Sequence, residues 1–372
     1  MVDPQASPQR IQRLTPLADA LACIDRLVAP VAPKTVAAKR ALGRTLAADV
    51  TITHAQPAAA LALRDGFAVR ADATHDASAY APVLIDGAMV DVGDPLPAGT
   101  DTVAPPEAVE LRGGSAHAVA ALAPGDGVLP DGADMAEGAV RSAGTRLRGS
   151  DLAALAMLGV ELVRVREPRL RVVPVRPPGD RVIDGVADLL VRDVLVHGRA
   201  FSQPCDNRGL DGALDPIGED AMIVVGGSGS GRRDRSVHTL AHRGSVAFHG
   251  VGVSPGETAA FGMIGQRPVL VVPGRLDAAL AVWLLLGRRL LARLCGRDEE
   301  ERGKPVTLTR KISSTLGLAE LVPVRCEADG AAPLASGYLS PQSLAQADGY
   351  VVVPADSEGF PAGAHVEMRT LP

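Results

Sequence analysis

Aromatic side chains are scarce: the 372-residue sequence holds five phenylalanines, three tyrosines and one tryptophan. Stacking platforms for single-stranded nucleic acid are therefore lacking. The core has to be assembled from Ala, Val and Leu, each of which buries less area than a ring. Neither sign of charge dominates. Lys plus Arg number 38 against 43 for Asp plus Glu, a formal net charge of −5, and no basic block stands ready to neutralise a phosphate backbone. Nucleic acid is not an expected partner. Cysteines are few as well. Cys23, Cys205, Cys295 and Cys326 form no pair at CxxC or metal-knuckle spacing, the pattern of reduced thiols in a cytoplasmic protein. The first thirteen residues are polar and carry Pro4 and Pro8, so no secretory leader is expected. The longest apolar stretch, residues 276–294, is interrupted by Asp277, Arg288 and Arg289; it reads as a buried helix rather than a membrane span. A Walker GK[ST] element and an HExxH pair are both missing.

What the sequence does have is length for two or three domains, 40 glycines and 29 prolines, and hence many turns and short elements. Thr15-Pro16 reads as a hydroxyl N-cap with proline at the first helical position. Leu17, Leu21, Ile24, Leu27 and Val28 then line one helical face. A second short helical piece is expected over residues 35–46. Short strands between Gly/Pro turns follow to about residue 122, the pattern of a β-rich domain inserted after the first helices. Helical spacing returns around Leu152, Leu155 and Leu158 and ends at Gly159. From residue 170 to about 296 strands and helices alternate: strands at 170–175, 221–225, 246–253 and 268–272, helices at 187–196, 233–242 and 276–294. Such alternation predicts a mostly parallel sheet with helices on both faces. The last seventy residues alternate apolar and polar in short runs, as expected of a small β domain.

The sharpest local feature is Val224-Val225-Gly226-Gly227-Ser228-Gly229-Ser230-Gly231 with Asp234 after it. An apolar strand delivers a glycine-rich turn that opens a helix, and such a turn lets backbone N–H groups approach an anion. It also serves as a plain tight loop. Val272-Pro273-Gly274-Arg275 repeats the strand-to-helix pattern. Two such crossings at one sheet edge form the crevice in which open α/β sheets bind ligands. Asp234 suits a cation or a ligand hydroxyl, or equally the cap of the helix that follows. His238 and His242, four apart, lack a third ligand and read as surface residues.

The order of these motifs resembles the MoeA/gephyrin E-domain family, the molybdopterin molybdenumtransferases, over nearly the whole chain. ALGRTLA (41–47), LRDGFAVR (63–70), GDPLPAGTD (93–101), the 132–147 region, VGGSGSGRRD (225–234), 248–262, Pro273-Gly274-Arg275 and ADGY (347–350) carry the likeness. The resemblance implies a multidomain α/β protein. Residues 10–46 with 140–168 would form a discontinuous N-terminal domain and 47–139 a β-rich domain. Residues 169–300 would form the molybdopterin-binding α/β domain, and 301–372 a C-terminal β domain. It further implies a cytoplasmic homodimer, in which the partner's β-rich domain helps to close the cleft. The implied reaction inserts molybdate into adenylylated molybdopterin with release of AMP, assisted by Mg²⁺. A molybdopterin adenylyltransferase or a recipient molybdoenzyme would be its partner.

On the same footing, Asp65, Asp134 and Asp234 match acids for cation and molybdate handling, and Asp180 and Asp184 further acids for the metal. Gly227, Ser228, Gly229, Ser230, Ser254, Pro273, Gly274 and Arg275 match the cofactor-binding segments. The departures are equally specific. Arg181 replaces a glutamate of the pattern, Val186 an asparagine, Val225 a serine, Val92 a threonine and Leu276 a proline. Gly250, Ser254 and Glu257 stand at three lysine positions. Fewer cations weaken the hold on a polyanion, and Arg232, Arg233 and Arg275 are the expected compensation. A non-catalytic molybdopterin carrier or adaptor is the alternative these departures favour.

Overall fold

A computed structural model describes residues 9–175, 180–205, 209–298 and 303–372. The chain divides into two compact units: Met1–Ala48, Gly144–Ala153 and Glu161–Pro372 form one, Asp49–Ala143 and Ala154–Val160 the other.

The larger unit is organised by a six-stranded sheet. Its strands are β1 (Arg169–Pro174), β2 (Arg199–Ser202), β3 (Ala221–Val225), β4 (Ser245–His249), β5 (Ala260–Ile264) and β6 (Arg267–Val272), in the order β2-β1-β3-β6-β5-β4. The first four in that order run parallel, and β5 and β4 complete the sheet antiparallel. Alternate residues face opposite cores, as the two-residue period of a strand requires. Leu170, Val172, Ile223, Val225, Leu270 and Val272 face a core shared with α1 (Leu17–Leu27) and α2 (Arg181–Leu195). Val173, Met222, Val224, Val269 and Val271 face a second core that includes Val237 and Leu240 of α3 (Ser236–Arg243). All five residues of β3 are buried, which is why that stretch is continuously apolar rather than alternating. The predicted sheet, covered on both faces, is therefore what forms.

After β6 the chain enters α4 (Leu276–Val282), passes through a π-turn at Trp283–Gly287 and continues as α5 (Arg288–Leu294). The expected single helix over 276–294 thus carries a one-turn irregularity. Apart from the half-buried Leu276 its apolar side chains are buried, and no helix among the described residues is long and apolar enough to cross a membrane. Towards the C-terminus, Ala319–Glu327, Gly349–Val353, His365–Thr370 and Lys304–Thr307 build an antiparallel sheet. Val253–Ser254 joins its edge in parallel with Ala319–Glu327.

Three local expectations are corrected. Residues 35–46 are not helical. Lys34–Ala37 is a strand antiparallel to Leu162–Arg166, and only Ala38–Arg40 forms a short 3-10 turn. Tertiary pairing of the β-branched Thr35-Val36 pair overrides the helical tendency of the Ala, Lys and Arg residues around it. Thr15 does not cap α1. Its N–H donates to the Gly250 carbonyl at 3.0 Å and its carbonyl accepts from Gly252 N at 2.8 Å, so pairing with residues 250–252 takes the residue the cap would have used. The expected strand over 246–253 is two pieces, Ser245–His249 and Val253–Ser254, belonging to different sheets.

The smaller unit consists of short strands. Gly66–Val69 lies between Ala88–Val90 and Thr102–Ala104, and Val109–Arg112 forms a hairpin with Ser115–Ala118. Its cores are small and built largely of Val and Ala.

Candidate functional site: a cleft at the carboxyl ends of β3 and β6

The glycine turn leaves β3 with φ of +97° at Gly226 and +72° at Gly227, a left-handed region open to glycine at little cost. Gly226 N donates to the carbonyl of Val272 at 2.9 Å, which ties this turn to the one after β6. There Gly274 lies close beneath: a methyl group on it would stand 2.9 Å from Ile183 Cδ1 and 3.6 Å from Gly226 Cα. Glycine at both positions is what lets the two turns meet.

Three residues then satisfy the carbonyls of the turn. Ser236 Oγ donates to Gly226 at 2.8 Å and Ser236 N to Gly227 at 3.0 Å. His249 Nε2 meets the Ser228 carbonyl at 2.9 Å. The buried Gln9 amide donates to Gly227 at 2.8 Å and to Gly229 at 2.5 Å. With those carbonyls satisfied by the protein, the turn presents less uncompensated negative charge to an incoming anion.

A cavity of about 380 Å³ opens over these turns, within the range of small-ligand sites. Gly227, Ser228, Gly229, Pro273, Gly274 and Arg275, all expected from the sequence, line it together with Asp180 and Asp234. Asp180 is also the N-cap of α2, its carboxylate accepting from Val182 N at 3.2 Å and Ile183 N at 3.3 Å. Asp234 does not cap α3, which begins two residues later. Its Oδ2 instead accepts from Gly231 N at 3.0 Å, closing the turn on itself. Arg275 is held by Asp277, with Nε at 3.1 Å from Oδ1 and the second guanidinium nitrogen at 2.5 Å from Oδ2. That hydrogen bond keeps the Arg275 pKa above its ordinary value, so it stays charged at any working pH.

The remaining expected residues fall elsewhere. Ser230, Arg232 and Arg233 are exposed and do not line the cavity; of the three compensating cations, only Arg275 does. Asp184, one helical turn past Asp180, is outside the lining as well. Ser254 faces a separate cavity of about 240 Å³ with Ser313, Ser314 and Glu320. Val186 is buried in the core face of α2 and Arg181 is exposed at its start. Asp65 and Asp134 belong to the smaller unit. Asp65 Oδ1 accepts from Val92 N at 2.8 Å, bracing a turn, and Asp134 is exposed. Among the described residues no three acidic, His or Cys side chains form a metal cluster.

Sequence reading missed Gln9 and Thr258. Gln9 gave no signal in a polar N-terminal run. Thr258 lines the cavity and its hydroxyl lies 2.8 Å from that of Ser228; its place three residues after Ser254-Pro255 was the available hint.

This arrangement has counterparts among known proteins. Residues 15–159 match the MoeA N-terminal region (domain I and II) and residues 305–371 the MoeA C-terminal region (domain IV), together more than half of the chain. The chain belongs to the MoeA family. The crystal structure of the molybdopterin biosynthesis MoeA protein from Pyrococcus horikoshii superposes with a TM-score of 0.73 at 27% identity, covering 96% of this chain and 99% of that one. Molybdopterin molybdenumtransferase 2 of Mycobacterium tuberculosis is 25% identical over 388 residues, 91% of this chain and 95% of that protein. A Methanocaldococcus jannaschii protein named for molybdopterin biosynthesis is 25% identical over 373 residues, 89% of this chain and 90% of its own length. The multidomain α/β architecture is accordingly that of MoeA.

Proposed function

We propose that this MoeA-family chain acts in molybdenum cofactor biosynthesis as a molybdopterin molybdenumtransferase, and that the cleft over β3 and β6 takes the phosphate end of adenylylated molybdopterin. The observation that carries the reading is the convergence of two glycine-containing turns, two carboxylates and one arginine on a single cavity. Backbone groups of Gly227, Ser228 and Gly229 would cradle phosphate oxygens, Ser228 and Thr258 would offer hydroxyls, and Arg275 would offset the charge. The donor set also fits Mg²⁺. The ion favours one or two carboxylates with substrate phosphates completing its shell, and Asp180 and Asp234 are two such groups lining the same cavity. When bound, Mg²⁺ supplies charge neutralisation at the phosphates as AMP leaves. Asp65 and Asp134 enter the proposal as acids acting on molybdate, and a homodimer in the cytoplasm is part of it.

Turnover of adenylylated molybdopterin with Mg²⁺ and molybdate tests this. Molybdate-dependent AMP release, abolished in Asp234→Asn and reduced in Asp65→Asn, is the expected result. AMP release indifferent to Asp234→Asn would remove the cleft from the mechanism. Binding without release would instead favour the carrier reading. That reading has its own support, because Arg275 is the sole cation among the described residues lining the cavity, while Gly250 and Glu257 stand at lysine positions of the family pattern.

A further inference from the structure

A second cavity, of about 110 Å³, lies where α5 meets the C-terminal sheet. Its chemistry differs from that of the cleft. Two arginines on its wall are balanced: Arg288 pairs with Asp193 at 3.2 Å, and Arg289 with Asp25 at 2.6 Å. Beyond those pairs, Arg297, the exposed Lys304 and Arg369, which is hydrogen-bonded to Tyr350, add positive charge to the lining. The Nε of Arg297 is buried without a hydrogen-bond partner among the described residues. An orphaned guanidinium N–H carries a full desolvation cost.

Two further lining groups are tuned to an anion. His197 is 7% exposed, and its Nδ1 stands 3.5 Å from an Arg297 terminal nitrogen. Burial, then Arg146 and Arg297, push its pKa down to about 3, so the ring is neutral and adds no charge. Tyr350 is buried, and burial raises its pKa against the opposing pull of Arg288 and Arg369, which keeps its hydroxyl protonated. Leu284, Leu291 and Met368 add apolar surface to the same cavity.

We propose that this cavity is a second ligand site, separate from the glycine-turn cleft, for a small oxyanion carrying a short alkyl chain. Arg297 and Lys304 hold the oxyanion, Tyr350 orients it, and the leucine and methionine surface takes the chain. The site goes beyond the transferase reading and does not depend on it. None of these residues lines the cleft.

Calorimetric titration of the full chain with propyl phosphate, butyrate and inorganic phosphate tests the site. Propyl phosphate or butyrate should bind one to one, the stronger of the two identifying the headgroup. Inorganic phosphate should bind at least tenfold more weakly for want of the apolar contact. Arg297→Gln and Lys304→Gln should each weaken binding about tenfold, the loss of one charge-assisted hydrogen bond. Lys304 is exposed, so its replacement leaves folding intact. A histidine NMR titration gives a second readout: the alkyl phosphate, which keeps a negative charge at low pH, should raise the His197 midpoint, because an anion offsets the neighbouring guanidinium groups. No saturable binding of either alkyl anion up to about 10 mM, or binding unchanged by both substitutions, overturns the proposal.

Discussion

At Gly227 a side chain would meet two obstacles at once. The backbone φ is +72°, and the Ser236 hydroxyl that anchors the turn lies inside contact distance of any Cβ. Gly265 has a φ of +60° but open space around it, so it isolates the backbone effect. Gly265→Ala is expected to cost about 1–2 kcal/mol, and Gly227→Ala measurably more in urea denaturation, because the Ser236–Gly226 hydrogen bond is displaced too. Equal losses would show that Ser236 does not clamp the turn. At this scale the sequence was informative wherever a residue type has one physical use, as with the glycines of residues 226–229. It was silent about Gln9, whose role is set by residues more than two hundred positions away.

His197 gives the residue-scale pH prediction. Its folded pKa of about 3 lies below the ordinary 6.5, so between those values the unfolded chain binds the proton that the folded chain refuses. The stabilising contribution is complete above about pH 6.5 and is lost as pH falls towards 3, with a slope approaching 1.4 kcal/mol per pH unit. His197→Gln should flatten the stability profile by that amount between pH 4 and 6. Parallel profiles for the two proteins would mean that His197 is accessible to protons in the folded state.

At the scale of elements, Asp180 has two claims on it, as N-cap of α2 and as a carboxylate of the cleft, and they separate by substitution. Asp180→Asn keeps a side-chain acceptor for Val182 N and Ile183 N, so stability should hold while Mg²⁺-dependent turnover falls. Asp180→Ala should lose about 1 kcal/mol as well. Loss of stability in both variants to the same degree would show that the carboxylate charge, not the cap geometry, holds the helix end. The π-turn after α4 shows why element boundaries outrun sequence reading. Residues 276–294 have the apolar content of one continuous helix. Within the irregular turn the Trp283 ring covers the face of Gly287 and its Nε1 donates to Asp193 at 2.6 Å. Gly287→Ala would drive a methyl group into that ring, at about 1–3 kcal/mol for overpacking. Trp283 is the one tryptophan, so its fluorescence reads the displacement directly.

At the scale of the whole molecule, the alternating order of strands and helices was legible because a parallel sheet writes buried strands as unbroken apolar runs. The pairing of the short strands within the smaller unit was not, because pairing has no local signature. The units differ in the material of their cores. The smaller one is built mainly on residues such as Ala68, Val69, Val90, Val103 and Ala104, whereas the larger buries Trp283, Phe261 and long runs of Leu and Val. Burial stabilises in proportion to apolar area, so the smaller unit should melt first in scanning calorimetry, as a separate transition. Adenylylated molybdopterin in the β3/β6 cleft should raise the later transition directly, by about 2.7 kcal/mol of stability at a hundred times its dissociation constant. A single transition at all ligand concentrations would mean that the two units unfold together. A shift confined to the earlier transition would move the nucleotide away from the glycine turns and onto the unit that carries Asp65 and Asp134.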